Sequence, residues 1–382
     1  VFMSEFIKRI TAAVTAMAVT LCGSVTAYSE GEVTGIAKAA IVTEASTGQV
    51  LYEYNSHERL PMASVTKLMC LLIWAEEMEK GTFNMDTVIT ATARANAMDG
   101  SVIWLNIGEE MPAYDMIRSV VIASANDACV AVCEYIAGTE EMFVERMNKR
   151  AQELGMSDTH YDNCVGFDSD THYTSAYDTA ILSAAVSEYD CYNEFFNTRL
   201  DYVREGERQT QLLNTNKLMQ RYDGIIGGKT GTTDKAGCCL AVWAKRGNMK
   251  LCAVALGCKE SEQRFTACTD LLDYGFSGFE LYRTAVDSDV LTPVTVTEGL
   301  EKQADIRVKR LNTIVIPKGS SKRIEYTHTV VDSLSAPVQY GEKVGEVRAS
   351  LDGEEIFYSD IVTTGEIGEL NFFSSLGIIL RS

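Results

Sequence analysis

The sequence of 382 residues lacks the features that usually mark a metal protein. It contains only 4 histidines, which are scattered, and no two of its cysteines are separated by two residues. Structural zinc sites are usually built from such cysteine pairs or from clustered histidines. Nothing else in the sequence requires a bound group. We therefore predict neither a metal site nor a cofactor.

Clusters of basic residues are also absent. The formal net charge is -19, and no basic run or arginine-rich helix offsets it. Such a chain repels the phosphate backbone, so nucleic-acid binding is excluded. Low-complexity tracts are absent too, and 46% of the residues are hydrophobic, as in a folded globular protein.

The sequence has no apolar run long enough to span a bilayer comfortably. A basic pair and a short apolar run occupy residues 8–21, and small residues follow at 25–27. This pattern predicts a signal peptide, residues 1–27, cleaved before Tyr28. An uncleaved anchor is the alternative. A lipoprotein anchored at Cys22 is disfavoured because the residue before that cysteine is bulky.

Ten of the 11 cysteines lie beyond the predicted signal. In an exported chain this number points to disulfides, but the placement argues against them. Cys129 and Cys133 lie four residues apart in an apolar helical stretch, and Cys238 and Cys239 are adjacent in a predicted strand. We expect most of these side chains to be small buried hydrophobic groups.

The chain is longer than one hydrophobic core usually supports, so we expect two domains. Residues 28–286 combine predicted helices with antiparallel strands, whereas residues 287–366 alternate apolar and polar positions. The fold class is therefore α+β, with a small all-β domain second. The tail, residues 367–382, is apolar but too short to cross a membrane, and it either contacts a membrane surface or docks on the protein.

Periodicity and turn residues predict the elements of the first domain. Two hairpins are expected, one from strands at residues 39–42 and 49–52 and one from strands at 238–245 and 250–257. Helices are expected from residue 64 and over residues 114–136, 140–154 and 261–274.

Ser64 and Lys67 open the first predicted helix. Their spacing places the hydroxyl and the amine on one helix face. A lysine kept neutral by burial or by a nearby cation can take the serine proton and produce a nucleophile. Free N–H groups of the first turn can stabilise an oxyanion. Taken alone, the pair is also explained by a helix N-cap followed by a solvated lysine.

Ser124 and Asn126 interrupt a predicted apolar helix. Buried polar side chains need hydrogen-bond partners. Ser124 is a candidate for relaying a proton between Lys67 and a leaving group, and Asn126 is a candidate for binding a substrate amide. A polar break in a helix contact is the structural alternative.

A third motif consists of Lys229, Thr230, Gly231 and Thr232. Its first three residues would occur by chance in roughly one chain of this length in ten. A cation and hydroxyls at a strand edge suit a terminal carboxylate, and glycine allows a substrate backbone to approach. A turn between strands is the alternative reading, supported by Gly227 and Gly228.

The order and spacing of the three motifs resemble those of the penicillin-recognising serine enzymes. Over residues 36–283 the chain is similar to the D-alanyl-D-alanine carboxypeptidases among the low-molecular-weight penicillin-binding proteins, notably at residues 40–52, 159–163 and 172–178. Residues 336–345 resemble the β-rich second domain of that family. The resemblance implies a β-lactamase/transpeptidase-like catalytic domain with helices flanking an antiparallel sheet.

The resemblance implies a role for each motif residue. Ser64 would be the acyl-enzyme nucleophile, Lys67 its base and Ser124 the proton relay. Asn126 would hold the peptide, and the residues that would bind its terminal carboxylate are Lys229, Thr230 and Thr232. Backbone N–H groups of Ser64 and Thr232 would form the oxyanion hole.

The implied substrate is a peptidoglycan stem peptide ending in D-Ala-D-Ala, and β-lactam antibiotics would bind covalently at the same site. The enzyme would trim cell-wall cross-linking outside the cytoplasm, in the wall or at the outer face of the cytoplasmic membrane of a bacterium. Two departures from the family pattern are Val65, where serine or threonine is commoner, and one extra residue at Gly227 or Gly228, which leaves the local strand register open.

Two other readings share the motifs. A class A β-lactamase needs a Glu-x-x-Leu-Asn run, which is missing between Asp127 and Gly228, and usually has aspartate where Ala125 stands. A catalytically silent wall-binding protein is disfavoured because every reacting group is present. His160 and His172 are expected to be structural, since a lysine already supplies the base.

Overall fold

The computed structural model describes residues 35–286 and 288–370. The predicted signal peptide and the last twelve residues of the tail lie outside these ranges. The chain divides between Ser277 and Gly278 into two compact units. Within the described ranges, no helix has both the length and the apolar character required to cross a bilayer. The domain limits predicted from the sequence remain predictions.

A five-stranded antiparallel sheet forms the centre of the first unit, with strand order β2-β1-β9-β8-β7. Its strands, in chain order, are β1 (Ala39–Glu44), β2 (Val50–Tyr54), β7 (Ile225–Thr233), β8 (Gly237–Arg246) and β9 (Met249–Cys258). β7 is an edge strand. Both predicted hairpins are present, β1 with β2 and β8 with β9.

Two short antiparallel ribbons complete the strands of this unit. The first pairs β3 (Val88–Thr90) with β4 (Glu110–Pro112), and the second pairs β5 (Leu200–Val203) with β6 (Thr210–Leu213).

The α-helices vary from a single turn to five turns. They are α1 (Lys67–Glu79), α2 (Ala93–Asn96), α3 (Ala113–Ala123), α4 (Asn126–Ala137), α5 (Glu140–Glu153), α6 (Ala176–Val186), α7 (Asn193–Asn197), α8 (Leu218–Arg221) and α9 (Ser261–Gly278). A 3₁₀ turn, Ala63–Thr66, leads directly into α1.

The prediction of one helix over residues 114–136 is wrong, because the chain breaks between α3 and α4. Ser124 has a φ of 64°, a left-handed conformation that ends α3. Its N–H and that of Ala125 bond back to carbonyls of the last turn. Apolar periodicity continues across the break, so the pattern could not reveal it.

α1 lies at the centre of the hydrophobic core. Every residue from Lys67 to Ala75 is buried, and the helix packs against α4, α5 and α6. α6 in turn packs against β1, β8 and β9. Each fully buried leucine of α1 contributes roughly 1.5–3 kcal/mol. This packing fixes the start of α1, which carries Lys67, and the 3₁₀ turn before it, which carries Ser64, relative to the sheet.

The second unit is built from strands and two short 3₁₀ turns, Ser288–Leu291 and Ser321–Arg323. The strands form sheets of two, three and four members, in the orders β10-β14, β12-β11-β16 and β13-β18-β17-β15. They are β10 (Phe279–Arg283), β11 (Val294–Thr297), β12 (Gln303–Ala304), β13 (Ile306–Val308), β14 (Thr313–Pro317), β15 (Ile324–Val330), β16 (Ser333–Ser335), β17 (Lys343–Leu351) and β18 (Glu354–Thr363). The all-β character predicted for the second domain is confirmed.

Candidate active site

The turn that leads into α1 brings Ser64 and Lys67 together. Lys67 Nζ lies 2.8 Å from Ser64 Oγ. Ser64 is half-buried, and its hydroxyl also donates a 3.4 Å hydrogen bond to the carbonyl of Val165. The pair has the hydrogen-bonded geometry that proton transfer from a hydroxyl to an amine requires.

Lys67 is fully buried and has two further polar partners. Nζ donates to Asn126 Oδ1 at 2.7 Å and to the carbonyl of Val165 at 2.8 Å. Burial lowers the pKa of Lys67 below its usual value, although the cysteine thiols around it oppose the shift. When the amine is neutral, its two N–H groups can donate to Asn126 and Val165, and its lone pair can accept the Ser64 proton once the hydroxyl turns away from the Val165 carbonyl.

Asn126 is the first residue of α4, and its amide orientation follows from its contacts. Nδ2 donates to the carbonyl of Asp99 at 2.6 Å, which leaves Oδ1 for Lys67. The Asn126 backbone N–H donates to the carbonyl of Ser101, also at 2.6 Å. The segment around residues 99–101 is thereby fixed beside the amide.

Ser124, at the break between α3 and α4, is joined to the edge strand of the sheet. Its hydroxyl accepts a 2.9 Å hydrogen bond from Lys229 Nζ, although the two residues are 105 positions apart. Lys229 also donates to the carbonyl of Thr230 at 2.9 Å. Burial of Lys229, with Lys67 and Arg264 nearby, holds the pKa of the Lys229 amine well below its ordinary value.

The third motif lies on β7, and its pairing with β8 is regular. The extra residue inferred at Gly227 or Gly228 is accommodated earlier, by a shift of register between Ile225 and Gly227. From Gly227 onward the strand stays in register through Lys229 to Thr233. A Cβ on Gly227 would lie 2.2 Å from the Trp243 ring, so glycine is needed for this pairing.

Gly231 places β7 directly against the turn that carries Ser64. A Cβ on Gly231 would lie 3.0 Å from the Ser64 nitrogen and 2.7 Å from the Met62 carbonyl oxygen. On either side of it, the Thr230 hydroxyl donates to Thr215 at 2.7 Å, and Thr232 is exposed. The structure thus places the predicted site residues in one region, and these are Ser64, Lys67, Ser124, Asn126, Lys229, Thr230, Gly231 and Thr232.

Comparison with known proteins identifies the family. Residues 25–260 match the family described as D-alanyl-D-alanine carboxypeptidase, and residues 279–369 match the C-terminal domain of penicillin-binding protein 5. The chain belongs to the D-alanyl-D-alanine carboxypeptidase family. This membership confirms the family resemblance and the serine-hydrolase class inferred from the motifs, and it favours neither a β-lactamase nor a silent wall-binding protein.

Similar carboxypeptidases extend over most of the chain. D-alanyl-D-alanine carboxypeptidase DacF of Bacillus subtilis is 36% identical over 89% of this chain and 88% of its own length. DacA of Escherichia coli K12 is 31% identical, covering 89% and 86%. The solved structure of penicillin-binding protein 5 from Haemophilus influenzae has a TM-score of 0.77 at 27% identity, covering 87% of this chain and 98% of that one. The α+β fold class is confirmed.

Asp127 is a site residue of this carboxypeptidase that the motif analysis missed. It is buried, and its carboxylate accepts the N–H groups of Ile103 at 3.1 Å and of Leu105 at 3.0 Å. These bonds hold the segment that also carries Asp99, to which Asn126 donates. A charged residue directly after a motif, inside an apolar stretch, was the available signal.

Arg264 of α9 was also missed. Its guanidinium is buried, and Nη1 donates to the carbonyl of Gly231 at 3.0 Å and to Thr232 Oγ1 at 2.9 Å. Burial lowers the pKa of Arg264, although nearby thiols oppose the shift. The residue braces the end of β7, and nothing in the sequence around position 264 shows that α9 reaches that strand.

The two histidines contact residues around the site rather than Ser64 itself. His172 is buried, and its Nδ1 accepts the N–H of Asp162 at 3.0 Å, so Nε2 carries the proton toward the Thr66 hydroxyl at 2.8 Å. Thr66 in turn donates to the Ala63 carbonyl at 2.8 Å. His160 is exposed and its Nδ1 lies 2.8 Å from the Thr171 carbonyl. These contacts agree with the structural role expected for both residues.

Proposed function

We propose that this carboxypeptidase removes the terminal D-alanine from peptidoglycan stem peptides through an acyl-enzyme on Ser64. The observation that carries the proposal is the 2.8 Å contact between Ser64 Oγ and the fully buried amine of Lys67. Burial lowers the pKa of this amine and so favours the neutral form that can accept the Ser64 proton. The remaining motif residues supply binding and proton transfer around this pair.

Acylation begins when neutral Lys67 takes the Ser64 proton. As Ser64 Oγ attacks the carbonyl carbon between the two D-alanines, negative charge develops on the carbonyl oxygen. The backbone N–H groups of Ser64 and Thr232 hold that oxyanion. The close passage of Gly231 along the nucleophile turn supports this assignment, because it brings the N–H of the next residue toward the same region.

Departure of D-alanine requires a proton on its nitrogen. Ser124 passes that proton from Lys67, and Lys229 keeps the Ser124 hydroxyl in place through the 2.9 Å hydrogen bond. Because Lys229 Nζ donates to this oxygen, the Ser124 proton is left free to face the leaving nitrogen. Water then hydrolyses the ester at Ser64 and releases the shortened peptide.

Recognition of the substrate rests on β7 and α4. Lys229, Thr230 and Thr232 bind the terminal carboxylate, and Asn126 hydrogen-bonds the peptide amide. Thr232 is exposed, and its hydroxyl accepts from Arg264 and donates to the Gly231 carbonyl at the strand edge where a ligand would arrive from solvent. A β-lactam carries a carboxylate beside its reactive carbonyl in the same relative order, so it acylates Ser64 and stays bound.

The proposed location follows from the substrate. Peptidoglycan lies outside the cytoplasm, which agrees with the signal peptide predicted for residues 1–27. We place the enzyme in the wall or at the outer face of the cytoplasmic membrane, with contact to the membrane surface through the tail at residues 367–382. Flotation of the full chain with anionic vesicles, compared with a Phe372→Asp variant, tests this contact.

Mass spectrometry of the penicillin-treated protein tests the acyl-enzyme. We expect one adduct, located on the peptide that contains Ser64, and release of D-alanine from a pentapeptide ending in D-Ala-D-Ala. Ser64→Ala removes both signals. Ser187→Ala, which changes a half-buried serine at the end of α6, keeps both. An adduct on another residue, or a folded protein that releases no D-alanine, contradicts the proposal.

A further inference from the structure

Four cysteines lie in the core near Lys67. Cys70 follows Lys67 by one turn of α1, while Cys129 and Cys133 lie one turn apart on α4. Because positions three or four apart share a helix face, the two α4 cysteines point to the same side. Cys164 comes from a third segment, next to the carbonyl of Val165 that binds Lys67. Three separate parts of the chain therefore contribute thiols to one region of the core.

The sulfur atoms are close together as well as buried. Sγ atoms of Cys70, Cys129 and Cys133 all lie within 4.8 Å of one another, and each side chain has essentially no exposure. Cys70 and Cys129 both donate to the Cys164 carbonyl, at 3.2 Å and 3.5 Å. Among residues 35–286 and 288–370, Cys70, Cys129 and Cys133 are the one group of three or more His, Cys, Asp or Glu side chains whose ligand atoms lie this close together.

Filling of the core does not account for this clustering. Buried cysteines usually behave as small apolar groups, and Cys252 and Cys268 do so here, apart from the cluster. Cys70, Cys129 and Cys133 instead turn their polarizable sulfur atoms toward each other. Four-coordinate zinc holds thiolates at about 2.3 Å, which places its sulfur ligands about 3.8 Å apart. Sulfur atoms within 4.8 Å of one another need to approach by at most about 1 Å to reach that separation.

We propose that Cys70, Cys129 and Cys133 bind one thiophilic d¹⁰ metal ion of the Zn²⁺ and Cu⁺ class. Thiolate ligands select such soft ions over Mg²⁺ or Ca²⁺. Binding of a divalent ion releases three thiol protons to solvent and leaves a metal tris-thiolate in which no group is oxidised or reduced. The ion links α1 to α4, the two helices that carry Lys67 and Asn126. The site differs from the catalytic one, because none of its ligands takes part in acylation.

Cadmium alone is the probe, because cadmium–thiolate bonds absorb in the ultraviolet where carboxylate complexes do not. The reduced full chain is incubated anaerobically with Cd²⁺ until absorbance is constant, since the buried thiols require opening of the helix contact. We expect one Cd²⁺ per chain by native mass spectrometry, thiolate absorption and a raised melting temperature. Zn²⁺ added in excess displaces the cadmium signal.

Alanine variants separate the cluster from other thiols. Cys129→Ala and Cys133→Ala abolish the bound Cd²⁺ and the rise in melting temperature, whereas Cys268→Ala, a buried free thiol of α9, retains both. Circular dichroism identifies any variant that does not fold, and Cys70→Ser then takes its place. The proposal is overturned if the folded wild-type chain takes up no Cd²⁺, or if binding persists unchanged in the folded cluster variants. Neither result depends on whether Ser64 is acylated.

Discussion

Gly166 lies so close to Ala63 that a Cβ on Gly166 would come within 1.9 Å of the Ala63 carbonyl oxygen. Ala63 immediately precedes the nucleophile and has a φ of 50°, an uncommon conformation for alanine. The carbonyl of Val165, one residue before Gly166, accepts a hydrogen bond from Lys67. One backbone turn therefore holds both the residue before Ser64 and the amine that we propose as its base.

Replacing Gly166 with alanine should reduce the rate of penicillin acylation by about 100-fold or more, because a displacement of about 1 Å costs that much in a positioned reaction. The substituent cannot be accommodated unless the turn at Ala63 moves. Gly155→Ala is the matched control, since Gly155 also has a positive φ, 77°, but has nothing within 4 Å of the added atom. Equal losses in the two variants would show that backbone strain alone, and not the contact, governs the rate. Stopped-flow measurement with a fluorescent penicillin gives both rates.

Acylation should fall as the pH is lowered through the pKa of Lys67, because protonation removes the lone pair that accepts the Ser64 proton. Burial lowers that pKa, so the loss begins below the pH expected for a solvent-exposed lysine. Lys67→Arg should abolish acylation at every accessible pH, since a guanidinium keeps its proton. Lys80→Arg, at the exposed end of α1, should keep the wild-type profile. A Lys67→Arg enzyme with substantial acylation would exclude lysine as the base.

The three motifs were predictable, as was the helix start of the first and the strand of the third, because each combines side-chain chemistry with local spacing. Ser64 and Lys67 lie one helical turn apart in any helix, whatever surrounds it. The break at Ser124 was not predictable, because its left-handed backbone leaves no mark on the apolar pattern. It nonetheless decides the site, since an unbroken helix would place Ser124 and Asn126 on different faces, about 200° apart.

The contacts that join distant segments are the main feature of the site that could not be predicted from the sequence. Arg264 reaches Gly231 only because α9 packs on the sheet, and Asp127 finds its N–H partners on a loop more than twenty residues earlier. Spacing carries no information about such pairings. The cysteines illustrate the same limit, because four scattered positions gave no sign that their thiols converge.

His172 should make the first unit lose stability between pH 6.5 and pH 4. Burial lowers the pKa of His172 to about 4, so the unfolded chain binds a proton in this range while the folded chain does not. The loss reaches about 3 kcal/mol at pH 4, and the full stability is present above pH 6.5. Urea unfolding followed by tryptophan fluorescence measures the unfolding free energy of the first unit alone. All three tryptophans, Trp74, Trp104 and Trp243, lie in that unit.

Comparison with His172→Gln isolates this contribution, since carboxylates also titrate near pH 4. Glutamine can still accept from the Asp162 N–H or donate to Thr66, but it binds no proton. The variant should therefore lose less stability than the wild type over the same interval. His57→Gln, an exposed position, should follow the wild-type curve. Parallel curves for wild type and His172→Gln would mean that the histidine titrates normally in the folded chain.

Arg264→Lys should weaken substrate binding more than it slows the chemical step. The guanidinium donates to both Gly231 and Thr232 through Nη1 and to Ser261 through Nη2, a geometry that a single ammonium cannot reproduce. Loss of one hydrogen bond to a buried or charged partner costs about 1–3 kcal/mol, so KM for a D-Ala-D-Ala peptide should rise by roughly 5- to 100-fold. Steady-state release of D-alanine separates this rise from a change in kcat.

Arg150→Lys provides the control for the loss of a partly buried guanidinium. Arg150, on α5, pairs with Glu76 of α1 at 2.7 Å and with Glu153 of its own helix at 3.2 Å. Its replacement should leave KM within about twofold of wild type, because the ion pair that it weakens joins α5 to α1 and supplies no group to the proposed carboxylate site. A fall in kcat with unchanged KM in Arg264→Lys would place the arginine's effect on the acylation step instead. The end of β7 would then act on the oxyanion site of Thr232 rather than on the terminal carboxylate.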